Sequence, residues 1–294
     1  MTTDFGKLIT AMVTPFTEQG EVNYTEAVNV AGYLVETGSD TILLAGTTGE
    51  SPTLTHAEEF ELFKTVKQAL GSTRHVMAGA GSNCTQTAID ATHKAAQAGV
   101  DSVLHVVPYY NKPSQEGIVE HFKAIEAHTE LPIMLYNIPG RTGTNMEIDT
   151  IERCAAFSGI HAIKEAGGSV EVVKQLCERL PKEFAVYSGD DGITFPCLEV
   201  GAKGVVSVAA HCAGDAIKQM LDTFHAGNIT QAKQIHERLR PLFDVLFITT
   251  NPTPVKAALR LMGKDVGSCR LPLIDVTASE TQQLTQVLTQ LQLI

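Results

Sequence analysis

Short apolar runs recur along this chain at a regular beat, and polar, helix-periodic stretches fill the gaps between them. LITAMVTPF, TILLAG, HVMAGAG, SVLHVVPYY, PIMLYNIP, HAIKEAG, FAVYSGDD and GVVSVAA begin near residues 8, 41, 75, 102, 132, 161, 184 and 204. Their length and boundaries predict buried strands. Between them, HAEEFELFKTVKQAL and TQTAIDATHKAAQAG carry apolar residues at helical spacing. The second has an N-cap candidate in Thr85 and a glycine stop at Gly99. Eight strand–helix alternations predict an α/β chain folded as a (β/α)8 TIM barrel, in preference to an open doubly wound sheet. No G-x-G-x-x-G follows the first strand, and GAGSN at 79–83 reads as a tight strand-to-helix turn.

The beat stops near residue 229. TQAKQIHERLRPLFDVLF, NPTPVKAALRLMG and ASETQQLTQVLTQLQLI read as three helices with no strands between them. The expected organisation is a catalytic barrel over 1–228 and a C-terminal helical domain over 229–294.

Composition narrows the class of protein. The apolar share of 44% and charged share of 19% over 294 residues argue against disorder. A net charge of −11 disfavours a nucleic-acid or anionic-membrane partner, which would require a basic surface. No apolar run reaches the roughly 20 residues of a membrane span, and the segment MTTDFGK has no signal-peptide core. Six cysteines lie far apart without a C-x-x-C pair, so reduced, mostly buried thiols in a cytoplasmic protein are expected. The ten histidines form no metal-ligand motif, and solvent exposure is expected for His93, His121, His128 and His225. G-x-S-x-G is absent, which disfavours a serine hydrolase.

In such a barrel the C-terminal strand ends form the active face. Thr47, Thr48, Tyr109, Tyr110, Tyr136, Arg141, Lys164, Ser188, Asp190 and Asp191 all fall there. Lys164 demands explanation, because strand parity places it on the same face as Ile160 and Ala162. Its stem could lie along the barrel with the ammonium reaching solvent or Glu165. Alternatively, a desolvated amine becomes a nucleophile toward a ketone, forming a Schiff base. Lys112 lies in the YNKPS loop, and Lys7 and Lys203 precede strands on the opposite face. Tyr136 shares its inward parity with Met134 and is either an aromatic lid on the core or a proton-transfer group. GTTGE at 46–50 offers hydroxyls and backbone N–H groups suited to a small carboxylate. Asp190 and Asp191 are expected to cap the helix that follows rather than bind a cation.

GTTGES (46–51), PYYNKPSQEG (108–117), YNIPGRTG (136–143), IKEAGG (163–168) and SGDD (188–191) occur together in one order and spacing. The pattern closely resembles the dihydrodipicolinate synthase family of pyruvate-dependent class I aldolases, related to N-acetylneuraminate lyase. The resemblance extends from about residue 5 through NPTPVK to the C-terminus. It implies that Lys164 forms an imine with pyruvate and that Tyr136, Thr47 and Tyr110 relay protons, Tyr110 from a neighbouring subunit. It further implies that Thr48 holds the pyruvate carboxylate, Arg141 receives the carboxylate of L-aspartate 4-semialdehyde, and Gly189 and Val206 line the pocket. No cofactor and no metal are implied, and the implied assembly is a homotetramer, a dimer of dimers. Ser51, His56, Asn83 and Tyr109 match positions of a pocket that binds the end product lysine in inhibited members. Thr87 stands where those members usually place a glutamate, and Glu59 where some have histidine, so weak or absent inhibition is expected. A lyase acting on a sugar acid, a catalytically silent scaffold and a metal-dependent hydrolase are the competing readings. Arg141, the presence of both Lys164 and Tyr136, and the missing ligand pattern argue against them in turn.

Overall fold

The structure, a computed structural model, describes residues 4–294; residues 1–3, which open the MTTDFGK segment, lie outside the described residues. Eight parallel strands close into a barrel in chain order. They are β1 (Leu8–Ala11), β2 (Thr41–Leu44), β3 (His75–Gly79), β4 (Ser102–Val106), β5 (Ile133–Asn137), β6 (Ile160–Glu165), β7 (Ala185–Ser188) and β8 (Gly204–Ser207). The barrel helices are α1 (Tyr24–Glu36), α2 (His56–Leu70), α3 (Thr85–Gln97), α4 (Gln115–Glu126), α5 (Pro139–Thr142), α6 (Ile148–Ala155), α7 (Val170–Arg179), α8 (Thr194–Glu199) and α9 (Ala210–His225). The C-terminal helices are α10 (Ile229–Val245), α11 (Thr253–Leu261) and α12 (Ala278–Gln290). All eight strands fall on the runs that the apolar pattern picked out.

Strand parity sorts the core into two layers. Ile9, Leu43, Met77, Leu104, Met134, Tyr136, Ala162, Tyr187 and Val206 fill the barrel interior. Ile42, Val76, Val103, Leu135, Ile163 and Val205 pack outward against the helices. Strand β6 breaks the rule of alternation that put Ile160, Ala162 and Lys164 on one face. Ile133 pairs with Ile160 while Met134 pairs with Ala162, so a bulge at His161 absorbs one residue. Ile160 therefore belongs to the outer layer, and Ala162 and Lys164 alone point inward.

Other local expectations are corrected. Thr85 is the first residue of α3 and not its cap; Cys84 holds the cap position, and the Thr85 hydroxyl meets His121 Nδ1 at 2.9 Å. His121, which the helical pattern placed in solvent, is buried, whereas His93, His128 and His225 are exposed as expected. Cys154, Cys197 and Cys212 are buried, but Cys84 is exposed. Helix α2 opens with a capping box between Thr55 and Glu58 that satisfies two otherwise unpaired N–H groups.

Helices α10 to α12 follow with no strand between them and share the outer core through Leu239, Leu242, Leu259, Leu284 and Leu288. Each such leucine contributes about 1.5–3 kcal/mol on burial. The hydrophobic core runs across residue 229, so we propose the 1–228 and 229–294 division as one of chain organisation and not of separate cores.

Candidate active site

Lys164 and Tyr136 lie in register on β6 and β5, and Tyr187 flanks Lys164 on β7. The lysine is buried, and its Nζ lies 4.3 Å from the centroid of the Tyr136 ring. Lys256 is the other buried lysine, and its Nζ meets Glu50 Oε1 at 2.9 Å. Among the described residues no carboxylate pairs with Lys164 in this way, Glu165 included. Glu165 instead accepts from Asn137 Nδ2 at 2.9 Å and from the Gly167 N–H at 2.6 Å. A snorkelling ammonium paired with Glu165 is therefore not what the fold builds.

Gly189 closes the lysine from the β7 side. A Cβ there would approach Ala166 Cβ to 2.6 Å and Lys164 Cε to 3.1 Å, so only glycine leaves the aminobutyl chain its place. Val206 faces the same interior from β8.

The GTTGE turn follows β2. Thr48 is buried and Thr47 half-buried, and the backbone N–H groups of both donate to no acceptor among the described residues. Glu50 adopts φ +56° at the end of this turn. Its carboxylate is locked by Lys256 and by the Arg270 N–H at 2.9 Å, fastening the turn to the C-terminal helices. Asn251, from the same region, donates through Nδ2 to Thr48 Oγ1 at 2.9 Å. Its backbone carbonyl accepts from Arg141 Nη2 at 3.5 Å.

A cavity of about 480 Å³ opens over this end of the barrel, and Thr47, Tyr136, Arg141, Ser82 and Thr142 are on its wall. Its other side is formed by Ser51, His56, Glu59, Thr87 and Tyr109, so Thr47, Tyr136 and Arg141 share one space with most of the second set singled out by resemblance. Within it Ser51 Oγ donates to Glu59 Oε1 at 2.7 Å, and His56 Nδ1 lies 3.2 Å from Glu59 Oε2. Burial pushes the Glu59 carboxyl above its ordinary range, and the Ser51 and His56 contacts oppose that.

Not every expected residue joins the group. Tyr110 is 87% exposed at φ +73° and does not line the cavity of its own chain. Asn83 also lies off its wall, and Lys164, Thr48, Gly189 and Val206 sit below it in the barrel interior without lining it. Asp190 caps the short turn before α8, as expected, by accepting from the Gly192 N–H at 2.8 Å. Asp191 serves a different end. It accepts from Ser207 Oγ and from the Val208 and Ala209 N–H groups just before α9. The residues that pattern reading missed are Asn251, Glu50 and Lys256. NPTPVK is a visible motif, but nothing local ties it to a turn some 200 positions upstream.

The family model for the dihydrodipicolinate synthetase family matches residues 4–291. A 4-hydroxy-tetrahydrodipicolinate synthase from a Cyanothece species is 54% identical over 293 residues, 99% of this chain and 100% of its own length. The crystal structure of DHDPS from Cyanidioschyzon merolae with lysine bound superposes with a TM-score of 0.97 at 52% identity, covering 99% of each chain. The chloride-inhibited dihydrodipicolinate synthase from Acinetobacter baumannii, complexed with pyruvate, superposes with a TM-score of 0.97 at 37% identity, covering 99% of this chain and all of that one. Sequence and fold agree over the whole length, and the chain belongs to the dihydrodipicolinate synthetase family.

Proposed function

We propose that this protein is a 4-hydroxy-tetrahydrodipicolinate synthase that condenses pyruvate with L-aspartate 4-semialdehyde through an imine on Lys164. The observation that carries the reading is a buried lysine with no counter-ion among the described residues, set against a tyrosine ring at the mouth of a barrel. The amine attacks the pyruvate ketone and water leaves, giving an iminium that withdraws electrons from the adjacent methyl carbon. Loss of a methyl proton gives the enamine, with Tyr136, Thr47 and a neighbour's Tyr110 as the relay that carries protons in and out. The enamine carbon attacks the aldehyde of the semialdehyde. Its amino group then displaces Lys164, closing the ring and freeing the enzyme. Lysine is the electron sink, so the scheme needs no cofactor.

Thr48 and the free N–H groups of the turn hold the pyruvate carboxylate, while Arg141 at the rim receives that of the semialdehyde. Gly189 and Val206 shape the floor. The protein acts in lysine and diaminopimelate biosynthesis, in the cytoplasm. No described helix is long and apolar enough to cross a membrane. A coupled assay offering pyruvate with either the semialdehyde or an N-acetylated amino sugar tests the reading. Turnover with the semialdehyde is expected, and turnover with the sugar alone would replace this reading with a sugar-acid lyase.

The cavity wall formed by Ser51, His56, Glu59 and Tyr109, with Asn83 nearby, is the proposed site for lysine. Thr87 supplies no carboxylate there, and Glu59 is already engaged by Ser51 and His56. A lost charge-assisted contact weakens binding by roughly 10- to 100-fold. Half-maximal inhibition above about 1 mM is therefore expected. Sub-millimolar inhibition abolished by Glu59→Ala would instead assign the contact to Glu59.

A further inference from the structure

Asn251 sits in the segment between α10 and α11, is 5% exposed, and touches both groups assigned to substrate carboxylates. Its side-chain Nδ2 donates to Thr48 Oγ1 at 2.9 Å, and its backbone carbonyl accepts from Arg141 Nη2 at 3.5 Å. Its own Oδ1 is buried with no partner among the described residues. The amide's one side-chain anchor is therefore Thr48.

We infer that Asn251 is a positioning residue that selects an anionic keto acid by forcing the Thr48 hydroxyl to act as a donor. A hydroxyl has one proton and two lone pairs. The Asn251 N–H occupies a lone pair, and the proton is left to point elsewhere; no acceptor for it exists among the described residues. With the unpaired N–H groups of Thr47 and Thr48, the Thr48 hydroxyl gives the turn three donors, a set that complements a carboxylate. Were the amide turned the other way, Oδ1 would take the hydroxyl proton and the carboxylate would lose a donor. Leaving Oδ1 unsatisfied is the cost of the orientation seen, and such orphans are found where function requires them. An aspartate at 251 would be nearly the same shape but, when ionised, only an acceptor. It would capture the Thr48 proton and repel the substrate anion.

The inference rests on Thr48 binding the pyruvate carboxylate, so the test includes Thr48 itself. KM for pyruvate and kcat are measured from pH 5.5 to 8.5 for the full-length wild type, Asn251→Asp, Asn251→Ala and Thr48→Val, with borohydride trapping at saturating pyruvate. Asn251→Asp should raise KM for pyruvate by about tenfold or more at pH 8, with a smaller rise as the new carboxyl protonates at low pH. Its kcat and trapped yield at saturation should stay within about threefold of wild type. Asn251→Ala should raise KM less and without added pH dependence, and it reads the same contact if the aspartate variant does not fold. A fall in kcat at unchanged KM, or an unchanged KM in both Asn251 variants, would overturn the inference. Thr48→Val should raise KM for pyruvate; if it does not, the assignment of Thr48 fails first. If it does while both Asn251 variants behave as wild type, the inference about Asn251 fails alone.

Discussion

Lys164 Nζ lies 4.3 Å from the centroid of the Tyr136 ring, and the two residues occupy matched positions on neighbouring strands. The pairing is a consequence of barrel register, which a bulge at His161 resets just before the lysine. Lys256 shows what the fold does when a buried lysine is structural: it supplies Glu50 and two carbonyls, from Thr14 and Ser268. The inward lysine of β6 receives no such partner among the described residues.

Arg141 should matter for the second substrate more than for the first. It stands exposed at the cavity rim, its guanidinium steadied by the Asn251 carbonyl. Arg141→Ala should lower kcat/KM for the semialdehyde by about 10- to 100-fold, the equivalent of one charge-assisted contact. Imine formation with pyruvate, followed by trapping, should change by less than about threefold. Equal losses in both steps would make Arg141 a structural residue.

The Lys256–Glu50 pair should be a stability element. Both side chains are fully enclosed, and burial pushes the Lys256 ammonium down while Glu50 opposes it. Lys256→Met strands a buried carboxylate, a change that costs about 3–5 kcal/mol. Chemical denaturation at fixed protein concentration should show that loss, and Glu50→Gln combined with Lys256→Met should recover part of it. An unchanged midpoint in the single variant would contradict the assignment.

The apolar beat located all eight strands because barrel strands are buried on both faces and so read as continuous runs. It gave the wrong side for Ile160 because a bulge leaves no mark in composition. His121 was expected in solvent because its own helix does not show that it packs against Thr85 of the neighbouring helix. Lys164, Tyr136 and the GTTGE turn were legible as polar residues at strand ends. Asn251 was not, since its meaning comes from a contact with Thr48, 203 positions away.

His105 should confer a measurable acid sensitivity. It is wholly buried, its Nδ1 has no partner among the described residues, and burial pushes its imidazole down to about 3. The unfolded chain takes up that proton near pH 6.5, while the folded chain does not. The stability tied to a neutral His105 is thus complete above pH 6.5 and is lost as the pH falls toward 3. Relative to His105→Leu, the wild type should lose about 1.4 kcal/mol per pH unit between pH 6 and 4.5. A stability difference that is constant across that range would contradict this.

Tyr110 should act across a subunit boundary. It is 87% exposed beside the 40% exposed Tyr109, an aromatic pair suited to cover by a second copy. A homotetramer is expected in sedimentation velocity. Tyr110→Phe and Lys164→Ala should each be severely impaired, yet mixing them under subunit exchange should restore activity, because hybrid sites combine an intact lysine with a partner's tyrosine. A fully active monomer, or no recovery on exchange, would refute the shared site.

Lys164 should carry the substrate as an imine. Borohydride reduction in the presence of pyruvate, followed by peptide mass mapping, tests it most directly. One reduced pyruvate adduct per chain is expected, located on Lys164, and none in Lys164→Ala. An adduct on Lys112 or Lys256, or no adduct at all in an active preparation, would contradict it.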